Sequence, residues 1–376
     1  MASFSYSFAT GQGLNPYLLR SIKQVVGEEN APELKIDNLG FLNLLNSSKK
    51  ISLNRQTAPG AVEFVQVKYR PRAVVGQTST TDSCATGNFD PYQEVAVPLN
   101  IYRNYSIYLE DALLQEYADD CVRTQSLGLP PTAAMTEMIN LIMSGANAIL
   151  EGLDTDLQNQ MVFGTNIRTG SNAASTINIT QATTTLPLVD GLTQILTDTQ
   201  RNVFATGKPM IYGSGLFHNF MNQQNAKGLA ENGLNTSIEA MGVKFFFDQV
   251  AQTTLGTNQI AVISPDAVQL VEFDKFTGPF AGHKGISDFG TFMLPIQVTP
   301  THVIPMSFDF QLRYLDCAET VATVNDYYGS PISGYRGYQL IISKTCGLFQ
   351  QPSNAFKASD ALVGTNGVLR YNITNI

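Results

Sequence analysis

The stretch from Pro130 to Met161 constrains this chain more than any other part of it. Met135, Met138, Ile139, Ile142, Ala146, Ile149, Leu150, Leu153, Leu157 and Met161 step by threes and fours, which is the repeat of one helix face. Glu137, Asn140, Ser144, Asn147, Glu151, Asp154 and Gln158 fill the opposite face. Pro130-Pro131 fit a first helical turn, where an N–H has no partner to lose. The Gly/Asn/Ser/Thr-rich FGTNIRTGSNAAST ends the pattern. One amphipathic helix of roughly 30 residues and roughly 45 Å is expected.

Strand patterns precede it. Residues 61–75 and 92–108 are rich in β-formers, and in the second run Val95, Val97, Leu99 and Ile101 alternate with Ala96, Pro98 and Asn100. Between them lies the polar, turn-rich GQTSTTDSCATGNFD, while Pro71 and Pro98 bar both runs from the middle of a wide sheet. A projecting two-stranded ribbon meets all three observations, and such a ribbon is marginal alone. Residues 1–50 read as an arm with short helices after Pro16 (Tyr17, Leu18, Ile22, Val25) and near Phe41 to Leu45, neither long enough to stand by itself. A further helix is expected from about Glu110 to Arg123.

Beyond Pro187 the pattern changes. Helix Val189 to Val203, strand Pro209 to Tyr212, and a helix opened by GSG (Leu216 to Asn222) precede strands at Val243 to Phe247, Gln259 to Ile263 and Val268 to Phe273. That alternation predicts a compact α/β lobe. From Thr291 strands dominate, with Phe310, Leu312 and Tyr314 alternating and a long run from Gly337 to Phe349. The fold class is therefore α+β, divided into 1–50, 51–108, 109–186, 187–290 and 291–376.

Composition narrows the partners. Only 14% of residues are charged against about 25% in an average protein, and Asn, Gln, Thr and Ser make up the deficit. Neutral polar groups cost less to desolvate than charges, so such a surface can be covered by neighbouring subunits. A net charge of -8 argues against tight duplex binding, which needs many Lys and Arg contacts to phosphate. The N-terminus has no signal-peptide pattern and no apolar run is of membrane-spanning length, so a bacterial cytoplasm is the expected place of synthesis.

Motifs for catalysis and metal binding do not emerge. The 4 cysteines (Cys84, Cys121, Cys317, Cys346) form no CxxC pair, and the 3 histidines (His218, His283, His302) form no HExxH pattern. Gly213-Ser214-Gly215 lacks the spacing of a nucleophile elbow, because Tyr212 stands where glycine is needed. Gly207-Lys208 lacks the first glycine and the Ser or Thr of a phosphate loop. Asp154 and Asp156 lie inside the long helix and read as solvated charge; Asp119-Asp120 and Glu28-Glu29 are merely adjacent. No enzyme activity, cofactor or metal is expected. Lys68, Arg70 and Arg72 alternate onto one face of the first ribbon strand, where they could meet acidic residues of an adjacent subunit and fix register.

The order of arm, ribbon, helix, long helix ending in Gly-Thr-Asn, α/β lobe and closing strands resembles the major capsid proteins of tailed bacteriophages, with the Hong-Kong-97-type fold. MTEMINLIMSGANAILEGLDTDLQNQMVFGTN is similar to that family's spine helix and its exit. VDGLTQILTDTQRNVFATGKPMIYGSGLFHNFMNQQNAKG is similar to the segment opening its axial domain, and MGVKFFFDQ and QIAVISPDAVQLVEF continue in the same order. The resemblance implies an N-terminal arm, an extended ribbon (E-loop, 51–108), a peripheral domain with the spine helix (109–186), an axial domain (187–290) and closing peripheral strands (291–376).

It further implies self-assembly, as pentamers and hexamers, into an icosahedral shell enclosing double-stranded DNA without sequence-specific binding. Partners would be sister copies with portal, scaffolding and optional decoration proteins, in the virion and away from any membrane. Because the chain starts close to its arm, a separate scaffolding protein or a mature form is expected. Tyr17, Leu18, Lys68, Arg70 and Arg72 are the expected inter-subunit contacts. The alternatives are an encapsulin-like compartment shell and a phage tail or receptor-binding protein.

Overall fold

The computed structural model describes residues 39–46, 53–56, 64–69, 92–109, 113, 116, 119–120, 123, 133–161, 163, 176–178, 209–215, 217, 219, 244–248, 251–256, 259–264, 267–275, 282–284, 287–299, 302–316, 336–352 and 367–374. Contacts divide the chain into one unit built on residues 101–153 and 272–345 and a second built on 38–100, 154–271 and 346–376. It is a mixed α+β protein.

Strands β10 (Gly282–Lys284), β11 (Ser287–Thr299), β12 (His302–Asp316), β13 (Arg336–Gln350) and β4 (Ile101–Leu109) follow one another across a sheet that belongs to the first unit except for the last residues of β13; β9 (Val268–Phe273), most of which belongs to the second unit, also pairs β13. The alternation at Phe308, Phe310 and Leu312 buries all three. β10 covers β11 only at Ser287 to Phe289, and β13 covers β12 only from Asp309 to Asp316. Between these limits the β11–β12 hairpin continues as two strands, with Pro295 opposite Pro305. Proline cannot donate to a ladder, and both prolines fall where, among the described residues, no third strand needs the donor.

Helix α2 (Ala133–Gln160) is the long helix expected from the sequence. Met138, Ile139, Ile142, Ala146, Ile149, Leu150 and Leu153 are buried as their spacing requires. In the first unit it meets β4 and β13 at glycine: a Cβ on Gly145 would stand 2.8 Å from a Tyr105 ring carbon and 3.1 Å from Ile342 Cδ1, and one on Gly152 would stand 3.3 Å from Arg103 Nε. Gly145 and Gly152 are two turns apart, and Tyr105 and Arg103 share one face of a strand, so helix and strand run side by side. Leu113, Glu116, Asp119, Asp120 and Arg123 are helical, within the shorter helix expected there.

The second unit holds a sheet in the order β5 (Thr176–Asn178), β14 (Val368–Thr374), β8 (Gln259–Ile263), β6 (Met210–Gly213), β7 (Lys244–Phe247). β6 is parallel to β7 and antiparallel to β8. The apolar runs MIYG and IAVI are buried at every residue, as central strands should be. Helix α1 (Gly40–Asn46) docks here: Phe41, Leu42, Leu44 and Leu45 are buried, and the Phe41 ring meets Tyr212 edge-on at 5.5 Å. Full burial contributes roughly 1.5–3 kcal/mol per side chain of this size, which is how so short a helix persists. Helix α3 (Ala251–Thr254) follows β7. The first arm helix and the helix Val189 to Val203 lie outside the described residues.

A small sheet of the second unit joins β1 (Leu53–Gln56), β2 (Phe64–Tyr69) and β3 (Gln93–Pro98), all antiparallel. The run 92–108, expected as one strand, is two. β3 pairs β2, and after Leu99-Asn100 the chain enters β4, which lies beside β13. Alternation continues unbroken across the join, so periodicity gives no sign that the partner strand changes.

Candidate assembly surfaces and a buried carboxylate pair

On β2, Val65, Val67 and Tyr69 are buried while Phe64, Gln66 and Lys68 are half-exposed. The register sets Val65 against Val97 and Val67 against Val95 on one face, with Gln66 against Ala96 and Lys68 against Glu94 on the other. The Tyr69 hydroxyl donates to its cross-strand neighbour Gln93 Oε1, and Lys68 Nζ lies 3.5 Å from Glu94. Lys68, expected to face an adjacent subunit, thus has an acidic partner on its own β3. Pro98 closes β3, which is an edge strand, as a proline requires. Arg70, Arg72, Tyr17 and Leu18 lie outside the described residues.

A second surface is β4. Ile101 and Leu109 at its ends are buried, whereas Tyr102, Tyr105 and Tyr108 between them are exposed. Lys275 Nζ sits 4.1 Å from the centre of the Tyr102 ring, a contact that contributes about 0.5–1 kcal/mol at an exposed site. Buried Asp309 holds this arrangement in place: its carboxylate accepts the Lys275 backbone N–H at 3.1 and 3.2 Å and the Thr291 hydroxyl. Large aromatic faces on a strand are the side chains that interfaces enrich. Nearby, within the first unit, Lys344 is 2% exposed; its ammonium donates to Glu272 at 2.5 Å and to the Ser307 carbonyl at 2.7 Å.

The third feature corrects a sequence expectation. Asp154 reads as a solvated helix charge, yet it is 2% exposed, and Gln158 one turn on is 1% exposed. Gln158 Nε2 donates to Asp154 Oδ2 at 2.7 Å and to Asp248 Oδ2 at 3.0 Å. The Leu42 backbone N–H donates to Asp154 Oδ1 at 2.7 Å. Burial first, and then the hydrogen bond and charge of Asp248, push the Asp154 carboxyl up to about 8 against the pull of Leu42 and Gln158. The hydroxyl of Tyr212, fully buried, is raised far above its ordinary range by burial and by the same two carboxylates. The cause of the miss is tertiary: α1 and the residue after β7 cover the polar face of the last turns of α2, from far away in sequence.

Solved structures align with most of this chain. One from Mycobacterium phage Adephagia is 10% identical over 89% of this chain and 90% of that one, at a TM-score of 0.42. A capsid asymmetric unit of cyanophage A-1(L) is 13% identical over 93% and 96%, at 0.41. A virus-like particle from Pyrococcus furiosus is 7% identical over 94% and 99%, at 0.36. No protein-family model and no curated protein matches the sequence.

Among the described residues no group of three or more His, Cys, Asp or Glu is placed to hold a metal ion, and no helix is long and apolar enough to cross a membrane. Cys346 is buried in β13. The tyrosines of β4 are visible in the sequence: period-two alternation puts Tyr102 and Tyr108 on one face of the strand and Tyr105 on the face that meets α2. Asp248 carried a fainter signal, as a carboxylate directly after the apolar KFFF.

Proposed function

We propose that this chain is the repeating subunit of a phage capsid, a structural protein that closes into an icosahedral shell around double-stranded DNA. The observation that carries the reading is the β11–β12 hairpin between Gly290 and Phe308, a stretch of two strands that among the described residues no third strand joins. A two-stranded ribbon is marginal in water, and a sister molecule is the simplest source of the missing cover. The exposed tyrosines of β4 and the charge-poor surface favour the same conclusion.

On this reading α2 is the spine helix, β1–β3 are the base of the extended ribbon, residues 187–290 form the axial domain, and residues 1–50 form the arm. Tyr17, Leu18, Lys68, Arg70 and Arg72 are inter-subunit contacts. Assembly takes place in the host cytoplasm with portal, scaffolding and decoration proteins. Many weak contacts suffice, because a closed symmetric assembly makes them cooperate. With a net charge of -8 the shell encloses DNA without gripping it, and the chain has no catalytic task.

Negative-stain imaging and sedimentation of the full chain, with and without the products of neighbouring genes, test this. Closed particles are expected. A monodisperse monomer at every concentration overturns the reading, trimeric fibres would make it a tail protein, and particles filled with a cargo enzyme would make it a compartment shell.

A further inference from the structure

We propose that the buried Asp154–Asp248 pair is a proton-dependent clasp: loaded with one proton it holds α1 firmly on the last turns of α2, and without that proton the hold weakens and α1 opens more often.

One nitrogen, Gln158 Nε2, is bonded to both carboxylates, so the two acids share one small space, and both are buried. Two bare carboxylates cannot occupy such a space, and a proton held between them resolves the conflict. The groups bonded to them are N–H donors, from Gln158 and from Leu42 of α1, which disfavour a metal cation; the proton is favoured by burial and by the second carboxylate. Among the described residues, the titratable side chains around Asp154 are Asp248 after β7 and Tyr212 on β6. Asp156 lies two residues along α2, half-buried; α1 and α3 carry no titratable side chain; and Lys244 is exposed at the far end of β7. Among the described residues, those that act on Asp154 are Asp248, Leu42 and Gln158, and none is a cation.

The mechanical consequence follows from the cover that α1 gives Asp154, because burial outweighs the preference of the Leu42 N–H for the bare carboxylate. That N–H belongs to the first turn of α1, and Asp154 Oδ1 accepts it at 2.7 Å. When α1 lifts away, Asp154 meets water and returns to an ordinary carboxylate. In the closed state its pKa is raised to about 8, against 3.8 for an ordinary aspartate in water. The clasp is therefore at full strength below about pH 4, and each pH unit above that favours the open form about tenfold until the closed state also loses its proton near pH 8.

Hydrogen–deuterium exchange of the peptide covering α1 tests this in the full chain, at one assembly state, from pH 5 to 9. After the intrinsic pH dependence is divided out, opening should rise about tenfold per pH unit and level off near pH 8. Asp154→Asn keeps the acceptor for Leu42 but removes the proton site, and should give a flat profile. Asp248→Asn leaves burial as the main cause and should move the plateau to lower pH. A wild-type profile that is flat throughout overturns the clasp even if both variants fail to fold. So does an Asp154→Asn profile with the wild-type slope, or added calcium that protects α1 at pH 8. None of these outcomes depends on whether the chain forms shells.

Discussion

Gly347 of β13 lies directly under the carbonyl of Pro98: a Cβ on Gly347 would stand 2.4 Å from that oxygen and 3.2 Å from Val97 Cγ1. Within the second unit, the end of β3 is thus fixed to β13 at a separation that only glycine permits. The ribbon strand is anchored by backbone contact where it meets the body.

Glycine substitutions should therefore separate into two classes. Gly347→Ala meets a backbone oxygen, and so does Gly40→Ala, whose Cβ would stand 1.9 Å from the Phe247 carbonyl. Backbone cannot rotate aside, so each should cost more than about 2 kcal/mol, near the upper part of the range for overpacking. Gly145→Ala meets only the ring of Tyr105 and the tip of Ile342, which can shift, while alanine in a helix gains up to about 1 kcal/mol over glycine. Urea titration should place Gly145→Ala within about 1 kcal/mol of wild type. Equal losses for all three would contradict the steric account.

Lys344 and Glu272 should show the asymmetry of a buried ion pair. Glu272→Gln leaves the fully buried ammonium without its counter-charge and should destabilise by roughly 1–3 kcal/mol, less than for a dry pair because Glu272 is 35% exposed. Lys344→Met fills the same space beside Phe308 without a charge to desolvate, and should come close to wild type. Urea midpoints of the two variants check this, and the reverse order would refute it.

Much of the scaffold was legible because burial obeyed local periodicity. The threes and fours from Met138 to Leu157 all point inward, and Gln259–Ile263 and Val268–Phe273 form strands at their expected limits. What escaped was decided by distant chain. β9 joins β13 instead of its neighbour β8, and β14 returns from the C-terminal end to complete the sheet of β6 and β8. Asp154 looks solvated until Leu42, 112 residues away, covers it. Lys344 stands in an apolar run that says nothing of Glu272, 72 residues away.

Two truncations should behave differently. Removing residues 1–38 leaves α1 intact, so the thermal melt should stay near that of the full chain while closed particles are lost. Removing residues 1–50 also strips Phe41, Leu42, Leu44 and Leu45 from the core. Truncating even one such side chain to alanine costs about 2–5 kcal/mol, so this form should melt far lower or fail to fold. Normal particles in electron micrographs of the shorter truncation would remove the arm from the assembly mechanism.

Charge reversal at Lys68 distinguishes a fold role from an assembly role. Lys68 and Glu94 are 3.5 Å apart and each 41% exposed, and exposed pairs of this kind contribute about 0–1 kcal/mol. Lys68→Glu should leave the urea midpoint almost unchanged. If Lys68, with Arg70 and Arg72, sets register against a neighbouring subunit, the same variant should sharply reduce particle yield in sedimentation. The double variant Lys68→Glu/Glu94→Lys restores the pair within the chain but presents the reversed pattern outward, so it should remain deficient in particles. Recovery of normal yield in the double variant would mean that Lys68 acts only on its own strand partner.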